Sequence, residues 1–230
     1  MTNERAGARS GVCRKCGCTD DCACDGGCYW ADVDETLCSR CVRPSSLSFG
    51  VVKLKPAATL HVDCPWQFKD KLPGATRGAQ RHYPGMTVEQ LSTIELPPLA
   101  DDVLMFFWRV ASMQQEALDV IEAWGFELKS EIVWDKITSR GNPHFGMGRY
   151  TRASHEVCLL ATRGRVKVRS RSVRSRFEAV VPKRHSEKPA EIFAIAERLY
   201  RGPRTELFGR APRAGWQVLG NDPSLLWEAA

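Results

Sequence analysis

Four apolar runs of strand length, ATLHV (58–62), VLMFFW (103–108), SEIVW (130–134) and EVCLLAT (156–162), constrain the fold most, because helical patterns lie between them. Met113, Ala117, Val120, Ile121 and Trp124 share one face of a predicted helix that Gly125 ends. Ile192, Ile195, Ala196 and Leu199 mark a second helix, with Pro189 tolerated in its first turn. Strands alternating with helices predict an α/β sheet covered on both faces, with ligands at the carboxyl ends of the strands. At 230 residues and 43% hydrophobic, the chain can bury one such core and a small additional module. No run approaches the ~18 apolar residues of a membrane span, so no membrane partner is expected. MTNERAGARS at the N-terminus has no apolar secretory region, which predicts a reducing, cytoplasmic setting, in a bacterial or phage-infected cell.

That setting decides how ten cysteines are read. Eight fall within residues 13–41, opening with Cys13-x-x-Cys16 and closing with Cys38-x-x-Cys41. Two such knuckles can complete a tetrahedral four-cysteine zinc site, and the metal would supply folding energy that so short and polar a segment lacks. Disulfides are the alternative and would prevail in a secreted chain. Cys18, Cys24 and Cys28 form most of a second site if two zinc ions are bound; one ion on Cys13, Cys16, Cys38 and Cys41 is the simpler arrangement. Proline and serine then replace cysteine. This gives a cysteine-rich module over 1–43, a linker over 44–49 and the α/β domain over 50–230.

The first strand ends in Asp63-Cys64-Pro65-Trp66. Asp63 offers a carboxylate acceptor at a strand end. Pro65 biases Cys64 toward an extended conformation that aims its carbonyl outward, and Trp66 supplies a flat apolar face. Two acceptors beside an aromatic ring suit the amino group of a planar heterocycle. Bonds to its two protons strengthen as positive charge develops on the nitrogen during attack.

The tetrapeptide resembles the Asp-Pro-Pro-Trp signature of S-adenosylmethionine-dependent methyltransferases acting on adenine N6. From about residue 50 to 222 the chain resembles the MTA-seventy family, which includes the eukaryotic mRNA 6-methyladenosine writer and bacterial and phage relatives. Eight blocks carry the resemblance in order: VDCPW, HYPGMTVEQL, VLMFFWRV, ALDVIEAWGFELKSEIVWDK, GMGRYTRASHEVCLLATRG, HSEKPAEIFAIAERL, TELFGR and GWQVLGND. It implies a Rossmann-like methyltransferase sheet in permuted order, with the catalytic tetrapeptide early and the cofactor loop late. It also implies S-adenosylmethionine contacts from Asp63, Lys188, Glu206, Phe208, Arg210 and Asn221, a target base on the face of Trp66, and Tyr83 near that base, with a solvent-facing loop tyrosine as the alternative for Tyr83. Thr205 to Phe208 read as a strand, and a lysine with free N–H groups at a helix start suits the cofactor carboxylate. Cys64 departs from the family's proline, but the functional atom there is a carbonyl that every residue has. Trp124, Trp134 and Cys158 read as core, and His155-Glu156 as structural or supporting.

Between Arg163 and Arg184 stand nine Lys or Arg and one acid, Glu178, which suggests an exposed strand beside the site contacting phosphates; a solvated edge is the alternative. The net charge of +6 suits an anionic partner. The compact chain favours DNA over RNA as substrate. A catalytically silent nucleic-acid-binding subunit is the competing expectation.

Overall fold

A computed structural model describes residues 11–13, 16–19, 22, 54–67, 85–148, 150–182, 187–209 and 211–220. In chain order the elements are β1 (Ala57–Val62), α1 (Val88–Ser92), β2 (Leu99–Arg109), a 3-10 turn (Ala111–Met113), α2 (Gln114–Ala123), β3 (Glu127–Ile137), β4 (His155–Arg163), β5 (Arg176–Val180), α3 (Ala190–Leu199), β6 (Arg204–Leu207) and β7 (Gln217–Leu219). The seven strands form one sheet in the order β5-β3-β4-β2-β1-β6-β7. β4 pairs antiparallel with both neighbours, and every other pair is parallel. Six carboxyl ends therefore share one edge of the sheet.

The sequence explains which strands sit at the centre. All six residues of β1 are buried, so it reads as a continuous run rather than an alternation, as a strand covered on both faces must. Along β2 the side chains divide between two cores. Val103, Met105 and Phe107 face α1 and α2, whereas Leu104, Phe106 and Trp108 face α3. The α2 face carries Ala117, Val120, Ile121 and Trp124, and the α3 face carries Ile192, Phe193, Ala196 and Leu199. At about 1.5–3 kcal/mol for each large apolar side chain buried, these two layers hold the sheet. Trp124 and Trp134 are buried, and each donates its indole N–H to a backbone carbonyl, of Leu91 at 2.9 Å and Ala179 at 3.0 Å. Cys158 is fully buried. All three are core, as the apolar pattern predicts.

Two elements escaped the periodicity. α1 is only five residues long, yet a reciprocal Thr87–Gln90 capping box announces it. β7 has three residues, too few to show a period. The strand expected over Thr205–Phe208 runs from Arg204 to Leu207, and Phe208 leaves it with φ +64°. Pro189 is the extended residue before α3 rather than part of its first turn.

One correction concerns the basic stretch. Because β4 runs against the other strands, the chain leaves it at the edge opposite Asp63, roughly 17 Å of strand away. There the Arg165 N–H donates to Asp102 at the start of β2 (2.6 Å), and the Arg169 N–H donates to the Leu199 carbonyl at the end of α3 (2.8 Å). Residues 164–175 therefore lie across the far edge, and only β5 carries the chain back toward the site.

The turn after β1 is locked by a bridge between Trp66 and Met86. The Met86 N–H donates to the Pro65 carbonyl (2.6 Å) and the Gln67 N–H to the Met86 carbonyl (3.0 Å). Gly85 permits this approach, since a Cβ there would lie 2.7 Å from the Gln67 nitrogen and 2.8 Å from the Trp66 carbonyl oxygen, both backbone atoms that cannot yield. Gly85→Ala is expected to lower stability by about 1–3 kcal/mol, measured by urea unfolding.

Candidate active site

Asp63 leaves β1 at the shared carboxyl edge, and its side chain is about one fifth exposed. The Lys188 ammonium, two residues before α3, donates to Asp63 Oδ2 at 2.9 Å and lies 3.4 Å from Glu156 Oε2. Glu156 Oε1 in turn accepts from Lys136. Charges of alternating sign thus run Asp63–Lys188–Glu156–Lys136 across the ends of four elements. Burial alone would raise the Glu156 carboxyl, but Lys188 and Lys136 outweigh it and hold it below its usual range. Lys188 also lies over the Trp108 ring, at 5.1 Å from its centroid. Glu156 supports the site through Lys188, consistent with the role its position in the sequence predicts. Lys136 was missed, because a lysine late in an exposed strand carries no signal of its own.

Cys64 is buried with its side chain in the core. Burial pushes its thiol up, with a further rise from the Asp63 charge, so it stays protonated and unreactive. Its carbonyl accepts from the Trp66 N–H at 3.0 Å, leaving one of the two lone pairs on that oxygen. Trp66 packs inward, 5% exposed and edge-on to Phe107 with centroids 6.1 Å apart. The open aromatic face expected at this position is absent from this conformation, because the Met86 bridge tucks the ring under the turn. Its indole Nε1 is buried without a hydrogen-bond partner among the described residues.

On the neighbouring parallel strand β6, Glu206 pairs in register with His61 of β1. Burial lifts the Glu206 carboxyl to about 7, against the opposing pull of Arg213, whose Nε lies 3.5 Å from Oε2. His61 Nε2 accepts from Trp108 Nε1 at 2.8 Å, while its Nδ1 lies 3.9 Å from Glu206. Burial, and then the charges of Lys188 and Arg213, keep His61 neutral well below its ordinary range. His61 and Arg213 were not singled out from sequence; the His61–Glu206 pairing exists only once β1 and β6 are adjacent. Phe208 is buried and left-handed, and the Gly209 N–H donates to the Leu219 carbonyl at 3.0 Å. A Cβ on Gly209 would strike Val218 and lie 3.1 Å from the Glu206 side chain, so glycine is required. Tyr83, Arg210 and Asn221 lie outside the described residues, as do Cys24, Cys28, Cys38 and Cys41.

In the N-terminal segment, Cys13, Cys16 and Cys18 bring their sulfur atoms within 4.8 Å of one another. The Gly17 N–H donates to the Cys13 carbonyl (2.7 Å) and the Cys13 N–H to the Cys18 carbonyl (2.9 Å), folding the segment into a knuckle around left-handed Gly17. Cys18 joins Cys13 and Cys16 in this grouping. Sulfurs bonded at ~2.3 Å to one tetrahedral zinc stand about 3.8 Å apart, so this trio fits three of four ligands.

Glu206 makes a pH test. Its folded carboxyl is raised above the ordinary value of 4.5, so the folded chain binds more protons than the unfolded chain between pH 4.5 and 7. Stability is therefore lost as pH rises through that window. Glu206→Gln is expected to be more stable than wild type at pH 8, by on the order of 3 kcal/mol, with the difference closing below pH 4.5 in denaturant unfolding.

The MT-A70 family profile matches residues 59–222, from within β1 to beyond β7. The type II methyltransferase M.MunI of a Mycoplasma species is 28% identical over 200 residues, covering 78% of this chain and 83% of that protein. An Arabidopsis thaliana N(6)-adenosine-methyltransferase MT-A70-like protein is 29% identical over 180 residues, or 76% of this chain and 24% of its own length. The Homo sapiens N(6)-adenosine-methyltransferase catalytic subunit METTL3 is 28% identical over 170 residues, or 71% and 28%. The chain thus spans about a quarter of the plant and human relatives and most of the mycoplasma one. On the extent of the profile match, the chain belongs to the MT-A70 family.

Proposed function

We propose that this chain transfers a methyl group from S-adenosylmethionine to the N6 amino group of adenine in DNA. The observation that carries the reading is Asp63, held partly exposed at the end of the central parallel strand and paired with Lys188 at the start of α3. S-adenosylmethionine, when bound, supplies an electrophilic methyl on a sulfonium. The residues at this edge fit it: Lys188 beside a helix start suits a carboxylate, and Glu206, with a carboxyl near 7, suits ribose hydroxyls. Lys188 can leave Asp63 for the cofactor without becoming unpaired, because Glu156 already shares it. Asp63 and the Cys64 carbonyl accept the two protons of the adenine amine. Both bonds would strengthen as positive charge develops on the nitrogen during transfer. Asp63 then receives the proton that the product nitrogen sheds and passes it to water. Trp66 reaches a base only if its bridge to Met86 opens.

Similarity along nearly the whole length of a type II methyltransferase supports DNA. The relatives named N(6)-adenosine-methyltransferases support the same reaction on RNA. Retention of Asp63, Pro65, Trp66 and Lys188 argues against a silent subunit. Tritiated S-adenosylmethionine offered with DNA and RNA oligonucleotides decides among them: transfer to DNA is expected, transfer only to RNA selects the second reading, and absence of cofactor binding by calorimetry selects the third. Asp63→Ala is expected to abolish transfer with the fold retained by circular dichroism. Cys64→Ala is expected to keep it, because the thiol stays protonated.

We also propose that the Cys13–Cys16–Cys18 knuckle holds zinc, with further ligands from the cysteines that follow. Metal analysis of protein purified without chelator is expected to find at least one zinc per chain, and Cys16→Ser to lower that content. A metal-free, disulfide-bonded product would overturn the assignment.

A further inference from the structure

Between β3 and β4 the chain places three large apolar side chains in water: Phe145 is 76% exposed, Met147 87% and Tyr150 91%. Apolar surface concentrated at a loop tip marks an interaction site more often than chance exposure. The loop is built to hold that tip. The Gly146 N–H donates to the Ala153 carbonyl (3.1 Å), and a Cβ on Gly146 or Gly148 would collide with the Ala153 or Thr151 carbonyl oxygen. Two glycines thus tighten a small hairpin that carries these exposed side chains. The base of the hairpin is fastened to the active site. The Lys136 N–H donates to the Ser154 carbonyl (2.9 Å), the Lys136 carbonyl accepts from the His144 N–H (2.8 Å), and the Lys136 ammonium binds Glu156.

Charge identifies the occupant. From residue 138 to 155 the sequence has no Asp or Glu, while Arg140 and Arg152 are both exposed in the same loop. The exposed Arg152 guanidinium lies 5.1 Å from the Phe145 centroid and reaches solvent beside it. Rings for bases, interleaved with cations for phosphates, are the chemistry of a single-stranded nucleic-acid surface. A second copy of this chain would bring the same positive hairpin against its like. We infer that the Phe145–Tyr150 tip is a stacking surface for unpaired bases beside the target nucleotide. The inference rests on the methyltransferase reading for its substrate, and not for its binding.

Fluorescence anisotropy of the full chain with a fluorescein-labelled single-stranded DNA oligonucleotide, without cofactor, tests it. Phe145→Ala and Tyr150→Ala are each expected to weaken binding about tenfold. Tyr150→Phe and Phe145→Trp, which keep a ring, are expected to bind as wild type. Val168→Ala, an exposed apolar residue on the far-edge segment, is expected to have no effect. In methylation assays the ring-less variants are expected to raise KM for the oligonucleotide with kcat unchanged. Unchanged affinity in the double variant would overturn the proposal. So would unchanged affinity with a shift in sedimentation from dimer to monomer, which would assign the tip to a protein contact. If wild type binds through the rings yet transfers no methyl, the stacking surface stands and the reaction falls; if it methylates and the rings are dispensable, only the surface falls.

Discussion

Burial of β1 on both faces is the constraint from which the site follows. A strand with all six residues buried can take no ionised side chain along its length, so the first carboxylate can stand only where the strand leaves the sheet. Asp63 occupies that position. Parallel pairing with β2 and β6 brings the ends of those strands to the same edge, and the segment before α3 adds Lys188 from the opposite face. The site is therefore a consequence of strand direction, which explains how Asp63 and Lys188, more than a hundred positions apart in the chain, can meet.

Half-burial gives the charges at that edge their effect. An isolated ion pair on the surface contributes about 0–1 kcal/mol, whereas removing one partner from a desolvated pair leaves a charge uncompensated. Lys188 is 9% exposed and touches two carboxylates, so it retains a partner whichever of them turns to a ligand. Glu206 is placed in the opposite sense. Its ionised form is disfavoured in the folded chain, and the Arg213 guanidinium, packed over Phe193, recovers only part of that cost. One edge thus combines a stabilised pair with a carboxyl poised to exchange a proton near neutrality.

Much of this was legible in sequence, for identifiable reasons. Central parallel strands reveal themselves as unbroken apolar runs, and α2 and α3 as single apolar faces, so the layered fold could be read directly. The Asp63 turn was legible because acid, proline and tryptophan rarely follow such a run without purpose. What could not be read depends on pairing. His61 looks like an ordinary strand residue until β6 sets Glu206 beside it, and Lys136 like a solvated lysine until antiparallel β4 delivers Glu156. The inward turn of Trp66 depends on Met86, twenty residues later. The direction of β4, invisible to periodicity, moved the basic stretch from the site to the far edge.

The distribution of strain argues the same case independently. Phe208 holds a left-handed backbone that costs on the order of 1–3 kcal/mol, the buried Trp66 indole N–H finds no partner among the described residues, and Glu206 resists ionisation. All three follow or terminate β1 and β6 at their carboxyl ends. At the opposite edge Asp102 accepts the Arg165 N–H and the Leu199 carbonyl at the end of α3 accepts the Arg169 N–H, while the buried Arg204 Nε at the start of β6 finds no partner among the described residues. A ligand that satisfies an indole donor, a hydroxyl that meets a near-neutral carboxyl, and a turn that must open to admit a ring would each relieve one of the three at the carboxyl ends.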